Sequence, residues 1–200
     1  ADLARVVAIA RAIEIVSGTT DNISMGDARR LAAIALGSWR EAPSEREVGL
    51  IREVASLARV EAAELVRSEF SSAASSRVGE AIESGAGAAE RTASGWLRAA
   101  GELGVDESTV RAAIGERLRG TVGERAIVAA KPADASAVLE LASLAARIDP
   151  EHSQAPLSRE AGEHVAGILV GGWSDEPQAE DLRSIRALAD LCAVSTPVLV

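Results

Sequence analysis

Few side chains in this sequence have the chemistry of a catalytic or metal-binding group. His152 and His164 are the only histidines, and Cys192 is the only cysteine, among 200 residues. Glu160 and His164 lie four residues apart in a predicted helix, so their side chains share one face, and Glu163 is adjacent. These groups suggest a ligand pocket or an enzymatic site between helices. The alternative is that His164 is a surface histidine in an acidic neighbourhood.

The remaining patterns favour a non-enzymatic protein. Cys192 ends the apolar run 188–192, which indicates a small buried side chain rather than a nucleophile. The sequence contains no phosphate-binding glycine loop, no Gly-x-Ser-x-Gly elbow and no Cys-x-x-Cys pair. Paired carboxylates could still act as acid and base, and the sequence does not reveal them. A lone cysteine cannot form an internal disulfide, so we expect a reducing, cytoplasmic location.

Two tryptophans occupy equivalent places in an internal duplication. When Trp39 is placed over Trp173, a shift of 134 residues, about a third of the positions from 32 to 66 are identical to those from 166 to 200. The arginines Arg52 and Arg186 also coincide. Either tryptophan could be an exposed binding anchor, but each could equally fill the core of its unit. Either arginine could bind an anionic group, or could lie along the core and pair with an acid.

The composition predicts helices that position these residues. Apolar residues make up 48% of the chain and aromatic residues only 2%, so Ala, Leu, Val and Ile must form the core. We therefore predict an all-α fold of roughly eight to ten helices. Each copy of the duplication is a predicted three-helix unit, with Ser24, Ser44 and Ser158 as N-caps. The predicted helices are 2–16, 27–36 and 44–66 in the first unit, and 134–147, 158–170 and 178–194 in the second.

These units define a predicted organisation in three parts: 1–66, a degenerate middle unit 67–133, and 134–200. We expect the parts to stack as a helical array within one compact domain. In the middle part, residues 71–76 are predicted to be a loop or a weak helix start. The glycines near 81–89 predict a break there, and 131–133 is the predicted linker before the last unit.

The charge of the chain limits its partners. The formal net charge is −9 at pH 7, with a single lysine and no basic stripe, so nucleic acid is not an expected partner. No apolar run reaches the roughly 20 residues of a membrane span. We therefore expect a protein partner or self-assembly.

The segment 47–58 resembles the TerB-like helical module of tellurite-resistance proteins, which also occurs in membrane-anchored DnaJ-like co-chaperones. Its sequence Glu-Val-Gly-Leu-Ile-Arg-Glu-Val-Ala-Ser-Leu-Ala is similar to the second helix of that module. The resemblance implies a divalent metal bound by the loops at 37–42 and 171–176. In those loops Glu41, Asp175 and Glu176 are the acidic residues, and they would be the ligands.

Three functions follow as hypotheses. The first is a non-enzymatic interaction or scaffolding module that needs no cofactor, including a subunit of a larger assembly. The second is a TerB-like stress protein that responds to a divalent metal. The third is a helical domain that binds a small ligand or acts as an enzyme.

Overall fold

The computed structural model describes residues 23–152, 156–173 and 178–192 of the chain. Within these residues the protein is entirely helical and contains no strand, which confirms the predicted fold class. Nine α-helices and one short 3-10 helix, Pro150–His152, are found in this part of the chain. The α-helices are α1 (Met25–Ser38), α2 (Glu45–Ala58), α3 (Ala62–Val66), α4 (Phe70–Ile82), α5 (Ala86–Leu103), α6 (Glu107–Val128), α7 (Pro132–Ile148), α8 (Arg159–Gly171) and α9 (Ala179–Leu191).

The helix starts follow local capping signals. The hydroxyl oxygens of Ser24 and Ser158 accept hydrogen bonds from the backbone N–H three residues later, at the starts of α1 and α8. At α2, Ser44 and Glu47 form the predicted capping box, in which each side chain accepts from the other residue's backbone N–H. At α6, Asp106 accepts from Ser108 and Thr109, and these hydrogen bonds lower the pKa of its carboxyl group.

The described residues separate into two compact units. Unit 1 contains residues 23–77 and 91–110, and unit 2 contains residues 78–90 and 111–192. In unit 1, α1 packs against α2 and α3, and α2 and α3 also contact each other. In unit 2, each of α7, α8 and α9 contacts the other two. The middle third of the sequence therefore supplies residues to both units.

The structure corrects two predicted elements. The predicted helix 44–66 is interrupted, because Arg59 adopts a left-handed conformation with φ of 54°. The N–H of Val60 then donates to the carbonyl of Ala55 at 3.1 Å, which ends α2 before α3 begins. Of the two alternatives predicted for 71–76, the loop is wrong and the helix start is confirmed, because these residues form the first turns of α4. There the apolar residues Phe70, Ala74 and Val78 follow helical spacing and are fully buried.

The predicted break between 81 and 89 is confirmed. The helix α4 ends at Ile82, and α5 begins at Ala86. Between them, Gly85 has a φ of +103°, which glycine adopts readily and other residues avoid.

The linker predicted at 131–133 is shorter than expected, because Pro132 is already the first residue of α7, a position that suits proline.

The two helix pairs that carry the aligned tryptophans have matching bounds. We call α1, α2 and their loop the first helix pair, and α8, α9 and their loop the second helix pair. A shift of 134 residues places α1 on 159–172 and α2 on 179–192, within one residue of α8 and α9. The predicted helix 2–16 lies outside the described residues. The duplication itself remains a prediction.

None of the described helices has the length and apolar character that crossing a lipid bilayer requires.

Candidate functional site

In unit 1, Trp39 lies at the centre of an aromatic cluster. It follows α1 directly, and only 1% of its surface is exposed. Its ring centroid lies 5.2 Å from that of Trp96 on α5 and 6.4 Å from that of Phe70 on α4. Trp96 and Phe70 are themselves 5.1 Å apart and fully buried. The three rings therefore hold α4 and α5 over the end of the first helix pair.

The loop of the first helix pair is held from the same side by hydrogen bonds. Arg77 on α4 donates to the carbonyl of Gly37 at 3.0 Å, and Arg98 on α5 donates to the carbonyl of Pro43 at 3.2 Å. Between these two contacts, Ala42 packs directly on Gly95 of α5, where a side chain at position 95 would overlap it. Aromatic packing and charged donors together cover this loop.

Arg52 of α2 adds a further contact, with the last turn of α5. Its Nη2 and Nε donate to the carbonyl of Glu102 at 2.7 and 3.2 Å, and its guanidinium lies 3.6 Å from the Glu102 carboxylate. Carbonyls in the last turn of a helix lack helical partners and carry partial negative charge, so a cation is favourable there. Arg52 therefore recognises the C-terminal end of a helix.

The corresponding end of the second helix pair is more exposed. Val170, in the last turn of α8, is 49% exposed, and Leu182, in the first turn of α9, is 57% exposed. Trp173 and Ile185 are half-buried. Because α8 and α9 pack together and are joined at this end, these four side chains lie around one end of the pair. We call Val170, Trp173, Leu182 and Ile185 the open face.

The residues aligned with the open face are all buried in unit 1. Leu36 and Val48 are each 2% exposed, in contrast to Val170 and Leu182. About one turn further from this end, the aligned residues are buried in both units: Ala32 and Ala166, Val54 and Leu188, and Ala55 and Ala189. The two pairs thus differ in burial at the end that carries the tryptophan, where α4 and α5 contact the first pair in unit 1.

The predicted binding residues have different roles in the two units. An exposed anchor at Trp39 is wrong, because this side chain belongs to the core, as the alternative prediction for it held. Trp173 is partly buried and partly exposed. Arg52 binds a helix end within its own unit, whereas Arg186, at the aligned place on α9, is exposed. The structure therefore does not give the aligned residues the same role.

The predicted metal ligands do not form a site in the described part of the chain. Glu41 is exposed on the first loop, and the neighbouring carbonyls of Gly37 and Pro43 already accept hydrogen bonds from arginines. Two guanidinium groups beside this loop oppose the approach of a divalent cation. Asp175 and Glu176 lie outside the described residues. Within the described residues, no group of three His, Cys, Asp or Glu side chains could hold a metal ion.

Two of the three residues predicted for a ligand pocket or an enzymatic site have partners within unit 2. His164 has its Nε2 atom 3.0 Å from the carbonyl oxygen of Ala129, and Glu163 forms an ion pair with Arg159 at 2.8 Å.

Cys192 lies against Gly162 of α8, and burial raises the pKa of its thiol. A thiol with a raised pKa forms less thiolate at neutral pH and is a poorer nucleophile.

Unit 2 also contains a cavity of about 720 Å³ between the start of α5, the side of α7 and α9. The salt bridge between Arg147 and Glu90, at 2.9 Å, lies at its edge. Its other polar lining residues include Glu140, Arg183 and Ser143, and Leu139 is its only large apolar residue. Ligand pockets are usually lined by apolar and aromatic side chains, so a ligand held in this more polar cavity would itself have to be polar.

The sequence reasoning missed Phe70, Trp96 and the arginines that cover the first loop. A signal for the aromatic residues was present, because Trp96 and Phe70 are the only aromatic residues besides the two aligned tryptophans. In an aromatic-poor core such residues are the largest available packing groups. Nothing in the local sequence of Arg77 or Arg98 indicates that a carbonyl about 40 or 55 residues away would accept their hydrogen bonds.

The comparisons with known proteins assign no relative to this chain. No protein-family model matches it, and no curated protein and no solved structure matches it.

Proposed function

We propose that this chain is a non-enzymatic protein-interaction module, a scaffold or adaptor that binds another protein through unit 2. The observation that carries the proposal is the open face. It presents Leu182, Val170 and part of Trp173 to solvent at one end of a helix pair. A cluster of exposed apolar side chains beside polar residues is typical of a surface that binds a protein.

The surroundings of the open face support this proposal. Arg186 and Asp190 are exposed on α9, so charged groups of both signs border the apolar residues. An interface with an apolar centre and a charged rim excludes water from its centre and selects its partner by charge. A half-buried tryptophan at such a centre is a favourable anchor, because it adds large apolar area at little cost in side-chain entropy.

Site-specific photo-crosslinking tests the proposal. A photoreactive amino acid is placed at position 182 of the full chain in one variant and, as a matched control, at position 34 in another. Ile34 is also a large exposed apolar residue, but it lies on α1 in unit 1. We expect the variant with the photoreactive residue at position 182 to crosslink a defined protein, and the variant with it at position 34 to give no such crosslink. An excess of the chain without the photoreactive residue should reduce the crosslink at position 182. A monodisperse monomer that gives no competed crosslink at position 182 would contradict the proposal.

The cavity in unit 2 favours a second candidate function, the binding of a small polar ligand. Its volume of about 720 Å³ is within the usual range for ligand sites. A ligand there would contact Arg183 and Glu140 rather than the predicted residues Glu160, Glu163 and His164, none of which lines the cavity. Saturable binding that is lost in Arg183→Ala and unchanged in His164→Ala would support this function.

The TerB-like alternative remains a proposal that rests on the sequence resemblance, with Asp175 and Glu176 as its untested ligands. Thermal unfolding with EDTA and then with a panel of divalent ions tests it. A ligand at 100 times its Kd stabilises a fold by about 2.7 kcal/mol, or several degrees. A metal-selective shift that is lost in Asp175→Asn would support this alternative, and the absence of any shift would remove it. A cytoplasmic location is likewise part of the proposal.

A further inference from the structure

We infer that the open face binds an amphipathic, aromatic-bearing helix of a partner protein, whose C-terminal end lies at Arg186. This inference rests on the proposed interaction function and names the kind of partner. It depends on a comparison within the molecule, because unit 1 shows what covers the aligned surface when it is buried.

In unit 1 the aligned surface is covered by helices that carry aromatic side chains. Trp96 of α5 lies against Trp39 with ring centroids 5.2 Å apart, and Gly95 lets the helix backbone come into contact with the loop at Ala42. Phe70 of α4 meets Trp39 edge-on at 6.4 Å. Leu36 and Val48, at the same end of the first helix pair as Trp39, are also buried. The surface therefore accepts a helix with an aromatic residue directed at the tryptophan.

The direction of the covering helix is set by Arg52, which donates two hydrogen bonds to the carbonyl of Glu102 in the last turn of α5. The Glu102 carboxylate, 3.6 Å from the guanidinium, adds a second negative group. Arg186 is the aligned residue on α9, and its side chain is exposed. A helix on the open face would accordingly place its negative C-terminal end at Arg186, preferably with an acidic residue in its last turn.

This helix is expected to come from a different protein. Among the described helices, those that fit such a surface, α4 and α5, have their aromatic residues Phe70 and Trp96 fully buried in unit 1. A second copy could offer them only by exposing that core, which costs several kcal/mol for each aromatic side chain. A partner with a free amphipathic helix binds without that cost.

The test uses a defined probe, a fluorescent peptide with the sequence of residues 86–103, which is α5 itself. The full chain is titrated into this peptide, and binding is followed by fluorescence anisotropy. A second peptide carrying Trp96→Ala is the matched control. We expect saturable binding of the first peptide, and at least about fivefold weaker binding of the second, as for the loss of a central aromatic anchor.

Variants of the chain then locate the binding surface. Leu182→Asp is expected to weaken binding at least about tenfold, and Arg186→Gln about threefold to fivefold. Arg183→Gln removes an equal charge from α9 next to Leu182, but on the side that lines the cavity, and is expected to leave binding unchanged. Leu182→Ser, with its fold checked by circular dichroism, replaces Leu182→Asp if the aspartate disturbs α9.

Several results would overturn the inference. These are the absence of saturable binding, equal binding of the two peptides, or equal binding by wild type and Leu182→Ser. Self-association of the chain that is lost in Leu182→Ser would also overturn it, because a second copy would then occupy the face. The proposed function fails separately. If position 182 crosslinks a partner but the peptide does not bind, the interaction function stands and the helix assignment is wrong.

Discussion

In the first helix pair Trp39 is fully buried against Phe70 and Trp96, whereas Trp173 in the second pair is only partly buried. The helices of the two pairs begin and end within one residue of each other under the same shift. Their N-caps also correspond, serine with serine and Ser44 with Gln178. Similar local structure can therefore serve as core in one unit and as surface in the other. What decides is whether other helices of the same unit cover it.

The largest expected difference between the pairs is in the cost of removing each tryptophan. Trp39→Ala should lower the free energy of unfolding by about 3–5 kcal/mol, because it leaves a cavity between Phe70 and Trp96. Trp173→Ala should cost less, about 1–3 kcal/mol, since Trp173 is only partly buried. Urea unfolding followed by circular dichroism measures both. Equal losses would show that the second tryptophan is as well covered as the first.

The second largest change in stability is expected where α5 contacts the loop of the first helix pair. Gly95→Ala should destabilise the fold by about 1–3 kcal/mol, although alanine is the better helix former, because its methyl group overlaps Ala42. Gly49→Ala in α2 is the matched control, since nothing lies within 4 Å of the position of its added methyl group. That substitution should stabilise by about 0.5–1 kcal/mol. A gain in stability for Gly95→Ala would mean that α5 does not press on this loop.

Removing the N-cap serine should cost the same stability in the first and the second helix pair. Ser24→Ala and Ser158→Ala each remove a side-chain acceptor for a backbone N–H in the first helical turn, and each should cost about 1 kcal/mol. Thermal unfolding of the two variants and of the double variant gives these values and their additivity. Unequal costs would show that the two pairs already differ in their local structure and not only in their cover.

The smallest effect distinguishes the two arginines. Arg52→Gln should lower stability by about 0.5–1 kcal/mol, because Arg52 is half exposed and solvent screens its contribution to the last turn of α5. Arg186→Gln should change stability by less than about 0.5 kcal/mol. Hydrogen exchange at the end of α5 should increase only in the Arg52 variant. An equal loss of stability in the Arg186 variant would indicate that Arg186 already holds a helix end within its own unit.

Several features of the fold could be predicted because they depend on neighbouring residues. The capping box at Ser44 and Glu47, the caps at Ser24 and Ser158 and the break at Gly85 are each complete within four residues of sequence. Other local features could not be predicted. At Arg59 a non-glycine residue takes a left-handed conformation, which residue type alone does not favour. For the small polar residues 71–76 the sequence left loop and helix start open, and the burial of Phe70, Ala74 and Val78 at helical spacing decided for the helix.

The candidate site could be predicted only in part. Aligning the sequence with itself identified Trp39, Trp173, Arg52 and Arg186 as related residues. It could not distinguish anchor from core, because that distinction depends on Phe70 and Trp96, which the alignment does not include.

The sequence alone determined the helical class, the positions of the capped helix starts and the residues that the two pairs share. These follow from hydrogen bonds and side-chain periodicity within a few residues of the chain. Only the tertiary structure decided which pair is covered and which is open. Burial depends on whether distant segments meet, as α5 meets the first loop about 50 residues away through Gly95 and Trp96. The same type of residue, a tryptophan after a helix, is thus part of the core in one unit and only partly buried in the other.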